Sequence, residues 1–470
     1  MPFYDRQEEI AFLASQARED GAALVVLYGR RRTGKTALLR NFARDRASVF
    51  FVADQCSRSD QLTAFSASVF HGLGEAGLEG TTFPTWEAGL RFLAARAREK
   101  SLLVVLDEFS YLCDADPSLP SVLQRLWDAE LRSTRLHLVL CGSYVSFMER
   151  EVLAAKNPLY GRRTGDWLLE PFGVVESGLF HPDLAPDTRL LIYGVLGGMP
   201  AWLERWDPRR TVNENLLDLI LRKGAPLRDE PRFLLMEELR DPRVYFSLCR
   251  AVAFGATSPN EIAQSAGLSD RGVTSRYLDT LRNLRVLERH VPVTERNPER
   301  TRRGHYRLTD PLFRFWFRFV LPNTSALEAG DPENVLRTRV MPHLDQHVSV
   351  AFEEAARQHL WRLVRTGKAP TAYERVGSWW RAAAEVDVVA LSEADSALLL
   401  GEVKWSRNPL GLDVLEHLIA RTPAVAADLT RPPTDVRYAL WSRSGFTPDL
   451  VRRAQAENVL LFTTEDVTGA

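Results

Sequence analysis

Lysine is nearly absent from this 470-residue chain: six of its 60 basic residues, Lys35, Lys100, Lys156, Lys223, Lys368 and Lys404, are lysine and the other 54 are arginine. Arginine therefore serves wherever a generic positive charge suffices. The few lysines are candidates for chemistry that needs a compact ammonium group. Cysteine is also sparse. Cys56, Cys113, Cys141 and Cys249 lie far apart with no CxxC pair, which excludes a disulfide framework and a structural zinc site. Long apolar runs are missing as well, and the longest, Leu190 to Leu203, falls short of the ~18 residues that suggest a membrane span. The first ten residues carry charge early and have no apolar core, so no signal peptide is expected and the chain reads as cytoplasmic, with no membrane partner. Excess charge is lacking too: 60 basic against 61 acidic residues leave a net charge of -1, so any nucleic-acid contact must come from a local patch. Hydrophobic residues at 45% and charged residues at 26% are the mix of a globular protein, and the length suits about three domains of ~150 residues.

The most specific motif lies near the N-terminus. Leu24 to Tyr28 is a continuous apolar run, the pattern of a strand buried on both faces of a parallel sheet. It leads directly into Gly29-Arg30-Arg31-Arg32-Thr33-Gly34-Lys35-Thr36, followed by a stretch with helical spacing. This is the P-loop pattern in its required strand-then-helix setting. Glycines let the backbone N–H groups wrap phosphates at the positive end of the new helix. Lys35 is expected on the β- and γ-phosphates and Thr36 on Mg²⁺. A second apolar run, Leu102 to Leu106, ends in Asp107-Glu108, which places Asp107 in the metal shell and Glu108 where it can polarise an attacking water. A third, Leu136 to Cys141, ends in Gly142-Ser143. Ser143 suits a γ-phosphate sensor, although a Gly-Ser pair is also a common turn.

Residues 1 to roughly 320 resemble the archaeal-type P-loop ATPases, a branch near the AAA+ and STAND families. The resemblance is carried by the P-loop, by Phe3, Arg6, Glu9 and Leu13, and by Leu159-Tyr160-Gly161-Arg162-Arg163 ahead of a strand expected over Asp166 to Leu169. It implies that the N-terminal residues form the adenine side of the pocket and that Arg162 or Arg163 reaches the γ-phosphate or a neighbouring subunit. A structural salt bridge explains those arginines equally well. Gly197-Gly198-Met199-Pro200 resembles the Gly-x-Pro element of STAND lids, which implies that Pro200 packs on the nucleotide; a plain loop is the alternative. Adenine preference rests on the resemblance, and no Asn/Thr-Lys-x-Asp guanine motif opposes it.

Residues 242 to 255 read as a helix, Ser258-Pro259-Asn260-Glu261 as a capped helix start, and Asp270 as the opening of a longer helix with Val273, Tyr277, Leu281 and Leu284 on one face. Strand residues at Val286-Leu287, Val291 to Val293 and Tyr306 to Leu308 complete a winged helix-turn-helix. Its hairpin loop is basic, with Arg296, Arg300, Arg302, Arg303, His305 and Arg307, and Arg271 and Arg276 lie on the candidate recognition helix. Such charge suits DNA phosphates. Glu295, Glu299 and Asp270 dilute it, and a docking surface is the alternative. Phe313 to Val320 packs five aromatics into eight residues, either a base-stacking platform or core. It matches a Leu-x-Asp-Pro-x-x-x-Phe-x-x-x-Phe signature of the same family, and Pro322 to Pro332 follows as an expected loop.

Beyond Met341 a helix is expected over residues 346 to 364, then strands at Val376 to Trp380, Glu385 to Leu391 and Ala397 to Trp405. Asp387, Glu402 and Lys404 spell D-x14-E-x-K. Glu402 and Lys404, two apart on a strand, share a face, and Asp387 can meet them across the hairpin. Two carboxylates can hold Mg²⁺ while the lysine orients or deprotonates a water for attack on a phosphodiester, with Glu353 or Glu354 as a further ligand. The pattern resembles the PD-(D/E)xK restriction-endonuclease superfamily, with Val386-Asp387 in place of Pro-Asp. The expected fold is thus α/β: a P-loop NTPase parallel sheet (1–172), a helical lid (173–240), a winged helix (241–310), an aromatic linker (311–345) and a C-terminal α/β restriction-endonuclease-like domain (346–470). The expected function is Mg²⁺-dependent ATP binding and hydrolysis that controls DNA binding or cleavage. The alternative is an ATP-switched regulatory or binding module whose nuclease fold is inactive. A homo-oligomer or a protein partner is open in either case.

Overall fold

The computed structural model describes every residue except 1–2, 18–20, 79, 240, 383 and 470, and the side chains of Ala76, Glu238 and Arg271 also lie outside the description. The chain divides into two compact units, Met1–Pro171 and Phe172–Ala470.

The first unit is built on a wholly parallel sheet: β1 (Ala23–Tyr28), β2 (Ser48–Val52), β3 (Leu102–Asp107), β4 (Leu136–Gly142) and β5 (Gly165–Leu168), in the order β2-β3-β4-β1-β5. The continuous apolar runs in β1 and β3 follow from burial on both faces. Leu24, Val26 and Tyr28 enter one core while Ala23, Val25 and Leu27 enter the other, and Val104 and Leu106 alternate with Leu103 and Val105 in the same way. β5 runs one residue earlier than the sequence pattern suggests at each end, pairing with β1 from Val25 to Tyr28. Because β3, β4 and β1 are neighbours, their carboxyl ends bring Asp107, Ser143 and the Gly29–Thr36 loop to one edge of the sheet, where open α/β sheets bind ligands.

The second unit begins with short helices, among them Pro186–Leu196 and Pro200–Leu203. Gly198 is required between them by contact: an added Cβ would stand 1.8 Å from the Phe172 carbonyl oxygen. Three helices follow (Arg243–Ala253, Pro259–Ser265, Arg271–Asn283), then an antiparallel hairpin of β6 (Leu287–His290) and β7 (His305–Leu308). Ser258 and Glu261 form a complete capping box, and Asp270 caps the third helix through Gly272 N and Val273 N. β6 stops before Val291–Val293, where strand was expected. Pro292 has no N–H to donate, and Val293 N donates to Ser378 O instead (2.9 Å). The aromatic run is core: Phe313, Phe315 and Phe317 are fully buried, and Trp316 and Phe319 nearly so. Part of the expected loop after it is helical, Thr324–Glu328, because Leu327 is buried on that turn.

A 25-residue helix, Met341–Arg365, longer than the sequence pattern suggested, precedes a five-stranded sheet. Its strands are β8 (Arg375–Arg381), β9 (Ala384–Ser392), β10 (Ala397–Lys404), β11 (Asp435–Ser442) and β12 (Leu460–Thr463). The order is β12-β11-β10-β9-β8, antiparallel from β8 to β10 and parallel from β10 to β12, with helix Leu412–Ala426 crossing between β10 and β11.

Candidate functional site

The P-loop is shaped by left-handed backbone at Arg32 (φ 70°) and Gly34 (φ 92°), and the helix Lys35–Ala43 starts directly after it. An added Cβ on Gly29 would meet Leu169 O at 2.3 Å, so only glycine allows that approach. Lys35 is buried, and its Nζ donates to Gly29 O (2.8 Å) and Arg30 O (2.9 Å), inside the curve of the loop. Burial lowers its pKa, against the opposing pull of Cys141, Glu108 and Asp107. Thr33 Oγ1 donates to Arg30 O (2.8 Å), which tightens the turn. Arg31 hydrogen-bonds the Tyr111 hydroxyl. Arg6, itself in left-handed backbone, is buried behind the loop. Its guanidinium donates to Thr33 O (3.1 Å), Glu170 O (2.9 Å) and Glu9 (2.8 Å), and so clamps the N-terminal segment to the loop.

Thr36 Oγ1 donates to Asp107 Oδ2 (2.7 Å), two hard oxygens converging at the foot of the loop. That donor pair fits Mg²⁺, and the N–H-lined loop above fits phosphates. Glu108 also has left-handed backbone (φ 54°), a conformation that bulky residues avoid without a local reason. Its carboxylate is held by Ser143, accepting from Oγ (2.6 Å) and from the backbone N–H (3.2 Å). Ser143 is therefore engaged with Glu108 itself. Arg162 makes a bidentate pair with Asp128, at 2.9 to 3.1 Å, and holds that carboxylate below its usual range. Arg163 pairs with Asp166 (2.9 Å) and Leu153 O (3.0 Å). Pro200 opens its short helix in the second unit.

In the C-terminal sheet, Gly401 pairs with Val388 at the last paired position of β9 and β10, so Glu402 and Asp387, the next residue on each strand, come to the same end of the pair. Asp387 Oδ2 accepts from Val403 N (2.9 Å). Burial, then Glu402 and Glu353, push Asp387 up to about 7. Glu402 is buried, with Oε1 accepting from Lys404 Nζ (2.6 Å) and Oε2 from Arg421 (3.0 Å). Burial works against the Lys404 ammonium, but Glu402, Asp387 and Glu353 outweigh it and hold its pKa above the ordinary value. Lys404 is thus a cation at neutral pH. Of the two helix glutamates, Glu354 pairs with Arg357 (2.9 Å), while Glu353 has its pKa raised by burial and senses Arg357, Arg307, Glu385 and Lys404. Among the described residues no group of three or more His, Cys, Asp or Glu is gathered as a metal-ligand set. Sequence reasoning missed Arg421. Its signal was the spacing Leu415, Leu418, Arg421, Val425, which puts it on the buried face of its helix.

The basic hairpin faces its own chain, and His305 and Arg307, expected in its loop, lie instead on β7. Arg303 binds Glu295 (3.0 Å), Asp428 (2.8 Å) and the Trp380 carbonyl; Arg296 binds Thr430; Arg307 approaches Glu385 (3.7 Å); His305 stacks on Trp380 with centroids 4.6 Å apart. Arg300, Arg302 and Arg276 are exposed.

Residues 3–205 match the model of an ATPase domain predominantly from Archaea, and residues 316–415 match a family described as archaeal and bacterial proteins of unknown function. An uncharacterized protein of Methanocaldococcus jannaschii is 31% identical over 411 residues, covering 86% of this chain and 87% of that one. An uncharacterized ATP-binding protein of the same archaeon is 46% identical over 52 residues, 10% of this chain and 88% of its own length. Among solved structures, a Walker-type ATPase of Pyrococcus abyssi superposes with a TM-score of 0.51 at 20% identity, covering 67% of this chain and 96% of its own, a likeness of fold. No helix among the described residues is long and apolar enough to cross a membrane. With a relative matched over most of both chains, a matching ATPase domain and a P-loop of the required geometry, the chain belongs to the archaeal-type P-loop ATPases.

Proposed function

We propose that ATP bound with Mg²⁺ at the Gly29–Thr36 loop is hydrolysed slowly, and that its occupancy governs how the C-terminal domain acts on DNA. Lys35 leaves the carbonyls of Gly29 and Arg30 for the β- and γ-phosphates, and Thr36 and Asp107 are the residues that would hold the cation. Bound there, Mg²⁺ would offset the charge of the phosphate oxygens. Glu108 acts on water once Ser143 releases it, so the Ser143 contact is the resting position of the base. Arg162 reaches nucleotide only by giving up Asp128.

The C-terminal reading is a nuclease-like site in which Asp387 and Glu402 hold a divalent cation and Lys404 contributes fixed positive charge beside the scissile phosphate. The observation that carries it is the convergence of Asp387, Glu402 and Lys404 from paired strands in a buried setting. Glu353 is the further carboxylate this reading uses, because Glu354 is committed to Arg357. The three helices and hairpin at residues 243–308 support a winged helix, with Arg276, Arg300 and Arg302 free to meet phosphates. A second reading, a binding-only domain, is favoured by Arg421, which with Lys404 already engages both Glu402 oxygens. Supercoiled plasmid and linear DNA, incubated with the full chain and Mg²⁺ or Mn²⁺ with and without ATP, separate the two. Cutting that Glu402→Ala abolishes supports the nuclease. DNA retention without cutting under every condition supports the binding module.

A further inference from the structure

At the opposite end of β8 to β10 from Glu402 lies a cavity of about 300 Å³, apart from both the P-loop and the carboxylate site. Ala397 lines it at the start of β10, and Glu402 stands five residues further along that strand, ~17 Å away at strand rise. Three segments form its walls: the hairpin loop through Thr294 and Arg296, the strand ends through Arg375 and Ser396, and the loop before β11 through Thr430 and Arg431.

Its chemistry is lopsided. The two carboxylates at the rim are spent: Glu393 pairs with Arg375 (2.6 Å), and Asp428 is shared by Arg303, Arg381 and the Trp379 indole. Arg296 and Arg431 have no carboxylate partner among the described residues; Arg296 donates to Thr430 on the facing wall, and Arg431 is exposed at the mouth. Thr294 is 94% buried, yet its hydroxyl has no hydrogen-bond partner. A buried hydroxyl without a partner is unfavourable, a penalty that a bound acceptor would remove. Leu391, Ala397, Leu429 and Pro433 give the remaining wall an apolar surface.

We infer that this cavity is a binding site for a small phosphorylated molecule of about mononucleotide size. Guanidiniums without carboxylate partners match the charge and geometry of phosphate oxygens. The Thr294 hydroxyl supplies a further donor, and the apolar wall takes a planar ring. The volume lies at the lower end of the ~300–1,000 Å³ range of small-molecule sites, too small for a larger cofactor. Because Thr294 and Arg296 belong to the hairpin loop and the other walls to the C-terminal sheet, the ligand would bridge the two and hold the loop down. The inference is independent of both the P-loop and the carboxylate readings.

The test is calorimetric titration of AMP, and separately of inorganic phosphate, into the full-length Lys35→Ala protein, whose P-loop is disabled. One site is expected, tighter for AMP than for phosphate. Arg431→Ala, a change at an exposed position, should weaken AMP at least about tenfold through the lost charged hydrogen bond. Thr294→Val should weaken AMP while leaving the thermal midpoint of the free protein unchanged or raised, because it deletes an unpartnered group. Glu402→Ala should leave AMP affinity unaltered. No heat with either probe, or AMP affinity unchanged in both Arg431→Ala and Thr294→Val, would overturn the assignment.

Discussion

Replacing Lys35 with alanine removes the ammonium that donates to Gly29 O and Arg30 O inside the P-loop. ATP-analogue binding followed by fluorescence should fall below detection in Lys35→Ala, and wild-type affinity there would mean that the pocket is elsewhere. Glu108→Gln is the complementary change. It keeps the side chain's size and its contact with Ser143 but removes the base. Nucleotide binding should persist while turnover drops by ~10²-fold or more, the range expected for a lost general base. Asp387 offers a test by pH. Burial and its acidic neighbours raise it from an ordinary value of 3.8 to about 7, so between these values the folded protein binds a proton that the unfolded chain has released. Stability therefore falls as pH rises through this window and levels off above it. Asp387→Asn should flatten that slope in denaturant titrations at successive pH values. An unchanged slope would assign the pH dependence to other groups.

β10 shows at the scale of an element what a strand needs to place two charged groups. Its pattern of Leu398, Leu399 and Leu400 before Gly401 and Glu402 gave both the strand and the shared face of Glu402 and Lys404 from sequence alone, because side chains alternate with a fixed period. Gly401 is there for packing: an added Cβ would lie 2.6 Å from the Trp441 ring, which is fully buried and cannot retreat. Gly401→Ala should cost ~1–3 kcal/mol in a denaturant titration, the range for overpacking a filled core. The helix starts were equally legible, since Ser258 and Asp270 are local signals that tertiary packing did not override. Ser258→Ala should cost ~1 kcal/mol, the ordinary value of an N-cap. What was not legible involved partners distant in sequence. Nothing near Arg303 announces Asp428, nothing near Glu402 announces Arg421, and Ser143 gave no sign that it would hold Glu108. Glu353 and Glu354 are adjacent and chemically alike; the ion pair that Arg357 makes with Glu354 and the burial of Glu353 separate their roles.

Each of the two compact units has its own buried core, so the whole molecule should unfold in two calorimetric transitions. Mg-ATP should raise only the transition of the unit holding the P-loop, by an amount that grows with the logarithm of nucleotide concentration. A single transition shifted as a whole would show that the units unfold together. The hydrogen bond from Val293 N to Ser378 O, with Arg375 reaching back to Val293 O (3.1 Å), has a consequence of another kind. β8 is the outermost strand of its sheet and carries Val376, Trp379 and Trp380, a segment whose open backbone would pair with any strand that met it. The hairpin loop shields that margin. Protein cut between the hairpin and the long helix would therefore expose an adhesive edge, and the liberated C-terminal piece should self-associate and precipitate where the intact chain stays dispersed.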